Sequence, residues 1–338
     1  MASSIMKISI VVPVYNVAPY VADCFHSIAR QTWQGPLECI FVDDCGTDDS
    51  ISIVERCIDD YSGPIDFRIV RHVRNRGLSA ARNSGISAAT GDYVYFLDSD
   101  DELSPDCMAL LMAPLANEAC DLIIGDCQIV GGEIPGVALQ LKDGQVLRGR
   151  EVLHAYCLGK WYMMSVNKLY RLSLLREHDL QFLEGILHED ELWSFQIACV
   201  VQSIAVVRQP TYLYKLREGS ITVSTLSQRR MDSLNRILTA MCSFAKTHAL
   251  QDNRDVHNLI QNFRIACLSK VQYNVPDMLP VFYRQQRRDM GDSWHHCCRL
   301  NGIDIRKQVR DFHIALPSFL AIFYLRQLLR YYLKLSAK

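Results

Sequence analysis

The chain has 338 residues, 49% of them hydrophobic, with 36 basic side chains against 37 acidic ones. That is enough for two domains, or for one large domain with an appendage, around a full core. The near-zero charge excludes a global nucleic-acid-binding surface.

The first 126 residues alternate between two patterns. Lys7–Val14 (KISIVVPV) reads as a buried strand, and Val21, Cys24, Phe25 and Ile28 follow at helical spacing. Leu37–Val42 is a second strand, ahead of a helix carrying Ile51, Val54 and Ile58 behind a Thr47/Asp48 cap. Phe67–Val70 is a third strand. Gly77–Ala89 is rich in small residues and is predicted helical. Tyr93–Leu97 is a fourth strand, Ser104-Pro105 opens a helix with Met108, Leu111, Met112 and Leu115 inward, and Leu122–Gly125 is a short fifth strand. Residues 127–160 read as an irregular insertion, 161–225 as mixed α/β, and the pattern from Leu226 onward as mostly helical.

This order implies an α/β fold with a mainly parallel sheet sandwiched by helices. Ligands of such sheets bind at the carboxyl ends of the strands. One rim then carries Pro13–Asn16, Asp43-Asp44 and Asp98–Asp101.

The last cluster is the most informative. An apolar strand ending in Asp98-Ser99-Asp100-Asp101 gathers like charges that repel unless something neutralises them. A hydrated helix-capping loop is one explanation. A phosphohydrolase nucleophile is another, but Glu102 stands where Thr or Val is usual, and the motif ends the fourth strand rather than the first. A divalent cation holding a nucleotide diphosphate is the third, since hard carboxylate oxygens suit Mg2+ or Mn2+. No Gly-x-Gly-x-x-Gly follows the first strand and no Gly-Lys-Ser/Thr loop exists, which disfavours a dinucleotide site and a P-loop.

Four pieces, in this order and spacing, resemble family 2 glycosyltransferases: Ile8–Thr32, Ile40–Ser50 (IFVDDCGTDDS), Asn75–Asp101 and His188–Phe195 (HEDELWSF). The resemblance covers residues 7–126 clearly and 161–225 more thinly. It implies a GT-A catalytic domain over 1–225, with a nucleotide-binding half (1–126) and an acceptor-side half (127–225), followed by a helical region over 226–338. It also implies inverting transfer from a nucleotide diphosphate sugar, UDP-linked by expectation, with Mn2+ or Mg2+ as cofactor.

By position, Pro13, Val14 and Tyr15 line the base pocket. Asp44 accepts from the base with Asp43 beside it, and Asn75, Gly77 and Arg82 close over the nucleotide. An ion pair of Arg82 with Asp98 or Asp101 is an equal reading. Asp98 and Ser99 lie against the ribose or diphosphate, and Asp100 with Asp98 holds the metal. The family more often has Gly where Cys45 stands, so a conformational difference is expected there. Inverting transfer needs one base for the acceptor proton, and the Glu-Asp pair of HEDELW points to Asp190. A helix N-terminus favours acidic residues in any case. His188, Glu189, Trp193, Lys168 and Arg217 are weaker candidates for the acceptor or diphosphate side; a core aromatic suits Trp193 as well, and surface salt bridges suit Lys168 and Arg217.

The end of the chain differs in character. Residues 301–338 hold seven Lys/Arg against two Asp, with Arg326, Arg330 and Lys334 on one helical face. Such a helix fits an anionic membrane surface or docks on its own domain with a solvated basic stripe. No segment has about 20 uncharged apolar residues, so no transmembrane helix is expected. Thirteen cysteines scattered through apolar runs, and no basic region followed by a long apolar stretch in MASSIMKISI, predict a reducing compartment. A metal site in the run His295–Cys298 is disfavoured, because adjacent cysteines rarely chelate one tetrahedral ion. The expected location is cytoplasmic, extending to the cytoplasmic face of the membrane, with a surface or lipid-linked glycan as acceptor. The rival readings are a nucleotidyltransferase, which needs a basic triphosphate loop that VPVYNVAPY lacks, and a non-catalytic sugar-nucleotide or glycan-binding module.

Overall fold

The computed structural model describes residues 6–132, 139–216 and 227–336, with side chains to residue 331 in the last helix. The elements in chain order are β1 (Ile8–Val14), α1 (Val21–Ala29), β2 (Leu37–Asp43), α2 (Ser50–Asp59), β3 (Asp66–Arg71), α3 (Leu78–Ala88), β4 (Tyr93–Phe96), β5 (Glu102–Leu103) and α4 (Cys107–Met112). Then come β6 (Leu122–Val130), β7 (Val146–Arg148), α5 (Arg150–Cys157), β8 (Lys168–Arg171), α6 (Leu172–Glu177), α7 (Glu189–Val200) and β9 (Ser203–Lys215). Six helices close the chain: α8 (Gln228–Thr247), α9 (Arg254–Asn274), α10 (Leu279–Met290), α11 (Trp294–Asn301), α12 (Ile305–Asp311) and α13 (Ser318–Ser336).

The chain divides into two compact units. The first comprises described residues up to 185 together with 189–216, and the second comprises 186–188 with 227–336.

The first unit is built on one nine-stranded sheet in the order β3-β2-β1-β4-β8-β6-β9-β5, with β7 paired to β9. The pairs β3-β2, β2-β1 and β1-β4 are parallel. Beyond β4 the sheet continues through antiparallel β8, so it is mixed there. Every residue of β1 is buried, because helices cover both faces. Val12 and Phe41 are register partners, and Phe25 of α1 stacks near Phe41 and Phe67 on that face. Val11 points the other way, toward α3. A β-carbon on Gly85 would come 2.1 Å from Val11 Cγ1, so the small residues of α3 are what let it lie close on the sheet.

The described residues among 127–160 are more regular than their sequence suggests. β6 runs on to Val130, and β7 and α5 follow. The signal was weak because β6 is buried only as far as Gly125 and half-exposed after it. Its register against β9 shifts around Asp126, which faces Pro210. A proline cannot donate to a ladder, and a bulge accommodates it.

The second unit buries its own core. Leu268 and Val271 of α9, Leu279, Phe282 and Tyr283 of α10, and Ala321, Leu325 and Leu329 of α13 form one cluster. Among the described residues, no helix is long and apolar enough to cross a membrane.

Candidate active site

The site is built at the carboxyl ends of the parallel strands, and its first layer is backbone geometry. Asp44, just past β2, is buried and receives four donors. His72 Nδ1 lies 2.7 Å and the Arg76 N–H 2.8 Å from its Oδ1; Asn75 Nδ2 lies 3.0 Å and the Gly77 N–H 2.7 Å from its Oδ2. This carboxylate folds the 72–77 segment over the rim and fixes Gly77 at φ +90° as the residue before α3. Its oxygens are engaged by protein donors, which weighs against the expectation that Asp44 accepts from the base. Asp43 is half-exposed at the end of β2 and accepts from the Cys45 N–H at 3.0 Å.

The loop after β1 is tied to the loop after β2. The Thr47 N–H donates to Asn16 Oδ1 at 2.8 Å, and the Ala18 N–H donates to Asp48 Oδ2 at 2.9 Å. Pro13 and Val14 are buried strand residues, and Tyr15 is half-exposed at the rim. Cys45 has φ +58°, a left-handed conformation that costs a side-chain-bearing residue energy. Cys45→Gly should therefore raise stability by about 0.5–1 kcal/mol, partly offset by the entropy of the unfolded glycine. A denaturation midpoint that falls instead would show that the thiol makes a useful contact.

Arg82 is the centre of the acidic layer. It projects from α3, its side chain is only 2% exposed, and it is shared among three carboxylates. Nη2 donates to Asp98 Oδ1 at 2.9 Å, while Nη1 donates to Glu189 Oε1 at 2.9 Å and to Asp190 Oδ1 at 3.2 Å. The guanidinium also lies 5.2 Å from the Phe182 ring centre. One buried cation thus joins the tip of β4 to the first turn of α7. Burial, with Asp190 beside it, pushes the Glu189 carboxyl up to about 7 despite Arg82. Burial also raises Asp98, against the pull of Arg82.

Asp101 is buried and held by β9. Its oxygens accept from the Tyr212 hydroxyl at 2.7 Å and from the Lys215 N–H at 2.8 Å. Burial and the neighbouring Asp98 push it up to about 8. Ser99 is buried beside it, and Asp100 is partly exposed. Tyr214 shares the face of Tyr212, two residues along the strand; burial, then Asp101, Asp98 and Asp100, push its hydroxyl up to about 12. The rim therefore carries more negative charge than its protein cations offset. Its donors are all hard oxygens, so the residues present fit a divalent cation.

The family described as Glycosyl transferase family 2 matches residues 9–179, just over half of the chain. The chain belongs to glycosyltransferase family 2. EpsH of Bacillus subtilis (strain 168), named as a glycosyltransferase, is 35% identical over 222 residues, which cover 63% of this chain and 62% of EpsH. The match thus spans less than two thirds of that relative. EpsJ of the same organism is 31% identical over 251 residues, covering 72% of this chain and 71% of its own. A crystal structure of Staphylococcus aureus TarS 1–349 with UDP-GlcNAc superposes with a TM-score of 0.67 at 19% identity, covering 97% of this chain and 92% of that one. That likeness shows the fold: a mixed sheet flanked by helices, in the GT-A arrangement.

Several residues singled out on the family pattern lie elsewhere than expected. Trp193 is buried, stacked at 4.0 Å on Phe182 and edge-on to Phe96 and Tyr170, so it is core rather than a sugar platform. Lys168 is fully buried in β8, where its ammonium donates to the Met164 carbonyl and sits 4.0 Å from the Tyr162 ring centre. Burial lowers it to about 7. That enclosure argues against both a surface salt bridge and direct contact with a diphosphate. His188, at φ +64°, belongs to the second unit, and its Nε2 accepts from Arg230 Nε at 2.8 Å. That lone pair is occupied, which weighs against His188 as a second base. Arg217 lies outside the described residues.

The family pattern did not point to Tyr212. Its only sequence signal is the alternation of TYLYK, which places Tyr212 and Tyr214 on one strand face. The trio of metal-type ligands that the described residues bring within 4.8 Å of one another is His257, Cys297 and Asp311, in the second unit. Asp311 there already accepts from Arg310 Nε at 2.6 Å, Arg310 Nη2 at 2.7 Å and Asn301 Nδ2 at 2.8 Å. A structural ion pair accounts for it.

Proposed function

We propose that the chain is an inverting glycosyltransferase that moves a sugar from a UDP-linked donor to an acceptor hydroxyl of a surface or lipid-linked glycan by direct displacement. The observation that carries this reading is the convergence of Asp98, Glu189 and Asp190 on the Arg82 guanidinium. In an in-line displacement the leaving diphosphate and the acceptor hydroxyl flank one carbon. Their partners must therefore face one another across a single sugar. Asp98 at the β4 tip and Asp190 in the first turn of α7 are bridged by one guanidinium, and both are accessible, at 30% and 28% exposure.

Asp190 is assigned the proton of the acceptor hydroxyl. Glu189 keeps Arg82 in place and holds the first turn of α7 against α3. Tyr15 and Asp43 face the base, and the segment Asn75–Gly77, folded by Asp44, covers the nucleotide. Asp100 and Asp98 would hold Mn2+ or Mg2+, and Asp101, pinned by Tyr212 and Lys215, fixes the loop that presents them. A cation held by Asp100 and Asp98 would supply positive charge to offset that of the departing diphosphate. The UDP-GlcNAc in the TarS structure supports a UDP-linked donor. We place the acceptor at the cytoplasmic face of a membrane, where nucleotide sugars are available to a protein of this class.

Asp100→Ala tests the cation assignment. UDP affinity measured by calorimetry should rise with Mn2+ in the parent chain and lose that dependence in the variant, a loss of about tenfold to a hundredfold. Equal affinities with and without Mn2+ in both proteins would remove the metal from the mechanism.

A further inference from the structure

The last helix carries two different faces. Ala321, Ile322, Leu325, Leu328 and Leu329 are buried in the core of the second unit. On the opposite side, Phe319, Phe323, Arg326 and Arg330 follow at spacings of four, three and four, which aligns them along one stripe of an α-helix. Phe319 is 69% and Phe323 64% exposed. The helix thus docks on its own unit and still presents an aromatic and basic face. The sequence had offered docking and membrane contact as alternatives. The side chains of Tyr332, Leu333 and Lys334 lie outside the described ones.

The exposed apolar surface continues onto α12. Ile305, Val309 and Phe312 recur at spacings of four and three, and all three are exposed. Tyr324 joins the two helices. Its hydroxyl donates to the Val309 carbonyl at 2.6 Å, and its ring meets Phe312 edge-on at 5.5 Å. Isolated exposed apolar residues are ordinary, but a contiguous strip across two helices marks an interaction surface.

Charge selects the partner. Arg306 and Lys307 border the strip on α12, and Arg326 and Arg330 lie on it in α13. Of the two acids in this region, Asp311 is buried against Arg310, and Asp304 caps α12 through the Arg306 and Lys307 N–H groups. A second copy would bring like charge against like charge. A nucleic-acid duplex, its bases already stacked, would leave the phenylalanines unused. Lipid with anionic headgroups satisfies both parts: the rings enter the acyl boundary, and the arginines extend to the headgroups.

We propose that α12 and the exposed face of α13 form a docking surface for an anionic lipid bilayer, lying in the interface rather than crossing it. Phe319 and Phe323 are the inserted side chains, and Arg326 and Arg330 contact the headgroups. This extends the membrane placement of the acceptor given above.

The test is co-sedimentation of the full chain with vesicles of phosphatidylcholine alone or of phosphatidylcholine with phosphatidylglycerol. The chain should pellet with the anionic vesicles and not with the neutral ones. The pair Phe319→Gln and Phe323→Gln should weaken binding about tenfold or more. The pair Arg326→Gln and Arg330→Gln should weaken it about fivefold for each charge removed and flatten its salt dependence. Phe319, Phe323 and Arg330 are exposed and Arg326 is half-buried, so the melting temperature serves as the folding control and should move little. Absence of pelleting, or variants that pellet like the parent, overturns the proposal. So does a concentration-dependent dimer in lipid-free solution that the phenylalanine pair dissolves, since that gives the face to a second copy. UDP binding is measured on the same samples. Lost vesicle binding with UDP binding intact removes only the membrane contact, whereas lost UDP binding with pelleting intact counts against the transferase reading alone.

Discussion

Asp190→Asn is expected to lower transfer by about a hundredfold to ten-thousandfold, the range for removing a positioned general base, and to leave UDP binding within a few-fold of the parent. The substitution keeps the volume of the side chain, and its carbonyl oxygen can still accept from Arg82 Nη1, 3.2 Å away in the parent. The base candidate is lost while the bridge from α3 to α7 persists. Tyr15 follows β1, Asp43 ends β2 and the Asp98–Asp100 loop follows β4, so Asp190 touches the donor groups only through Arg82, which the asparagine still engages. The measurement is transfer rate at saturating donor alongside UDP affinity by calorimetry. Loss of both would show that Asp190 is a structural carboxylate. Unchanged transfer would move the base elsewhere, with Glu189 the nearest alternative. Glu189 shares Arg82 and, held up to about 7, is often protonated at neutral pH.

The apolar runs of β1, β2 and β4 were legible because a strand buried on both faces leaves no polar alternation to misread, and the resemblance placed their rim. Three things were not legible. β7 has three residues and β5 has two, too few for any periodicity. The orientation of single side chains was hidden as well. Trp193 and Lys168 carry the same local pattern whether they face a ligand or the core, and only the packing of Phe182, Phe96 and Tyr170 around one and of Tyr162 over the other decides. The partners of a carboxylate were hidden too. Asp43 and Asp44 are adjacent and chemically equal in sequence. The turn after β2 sends Asp44 inward, where four donors close on it, and leaves Asp43 at the surface. Arg82 shows the same limit. Its pairing with Asp98 was among the sequence-level options, but a contact across 107 residues to Glu189 is a property of the fold.

Arg82 is where that long-range contact has its largest consequence for stability. Arg82→Met should destabilise the first unit by about 3 kcal/mol, the low end of the cost of breaking a buried ion pair, because Asp98 and Asp190 retain some access to water. For a unit of this size the melting temperature should fall by about 6–10 °C. The loss should depend on pH in a definite direction. Glu189 titrates at about 7 in the folded chain, against 4.5 for an ordinary glutamate. A raised folded value means that the folded state binds more protons than the unfolded one between those values. Stability from this group is therefore fully present below about 4.5 and is lost as pH rises through 7. Removing Arg82 withdraws the cation that lowers Glu189, so its folded value climbs further and the loss continues to higher pH. The gap between parent and variant should be widest above pH 7 and narrow in acid, where protonated carboxyls no longer repel. Arg82→Lys keeps the charge but loses the fork that reaches three partners, and should fall between the two. A gap of constant size across pH would show that Arg82 stabilises through its stacking on Phe182. It would also undercut the transferase reading, which requires the guanidinium to hold the β4 tip and the α7 carboxylates together by charge.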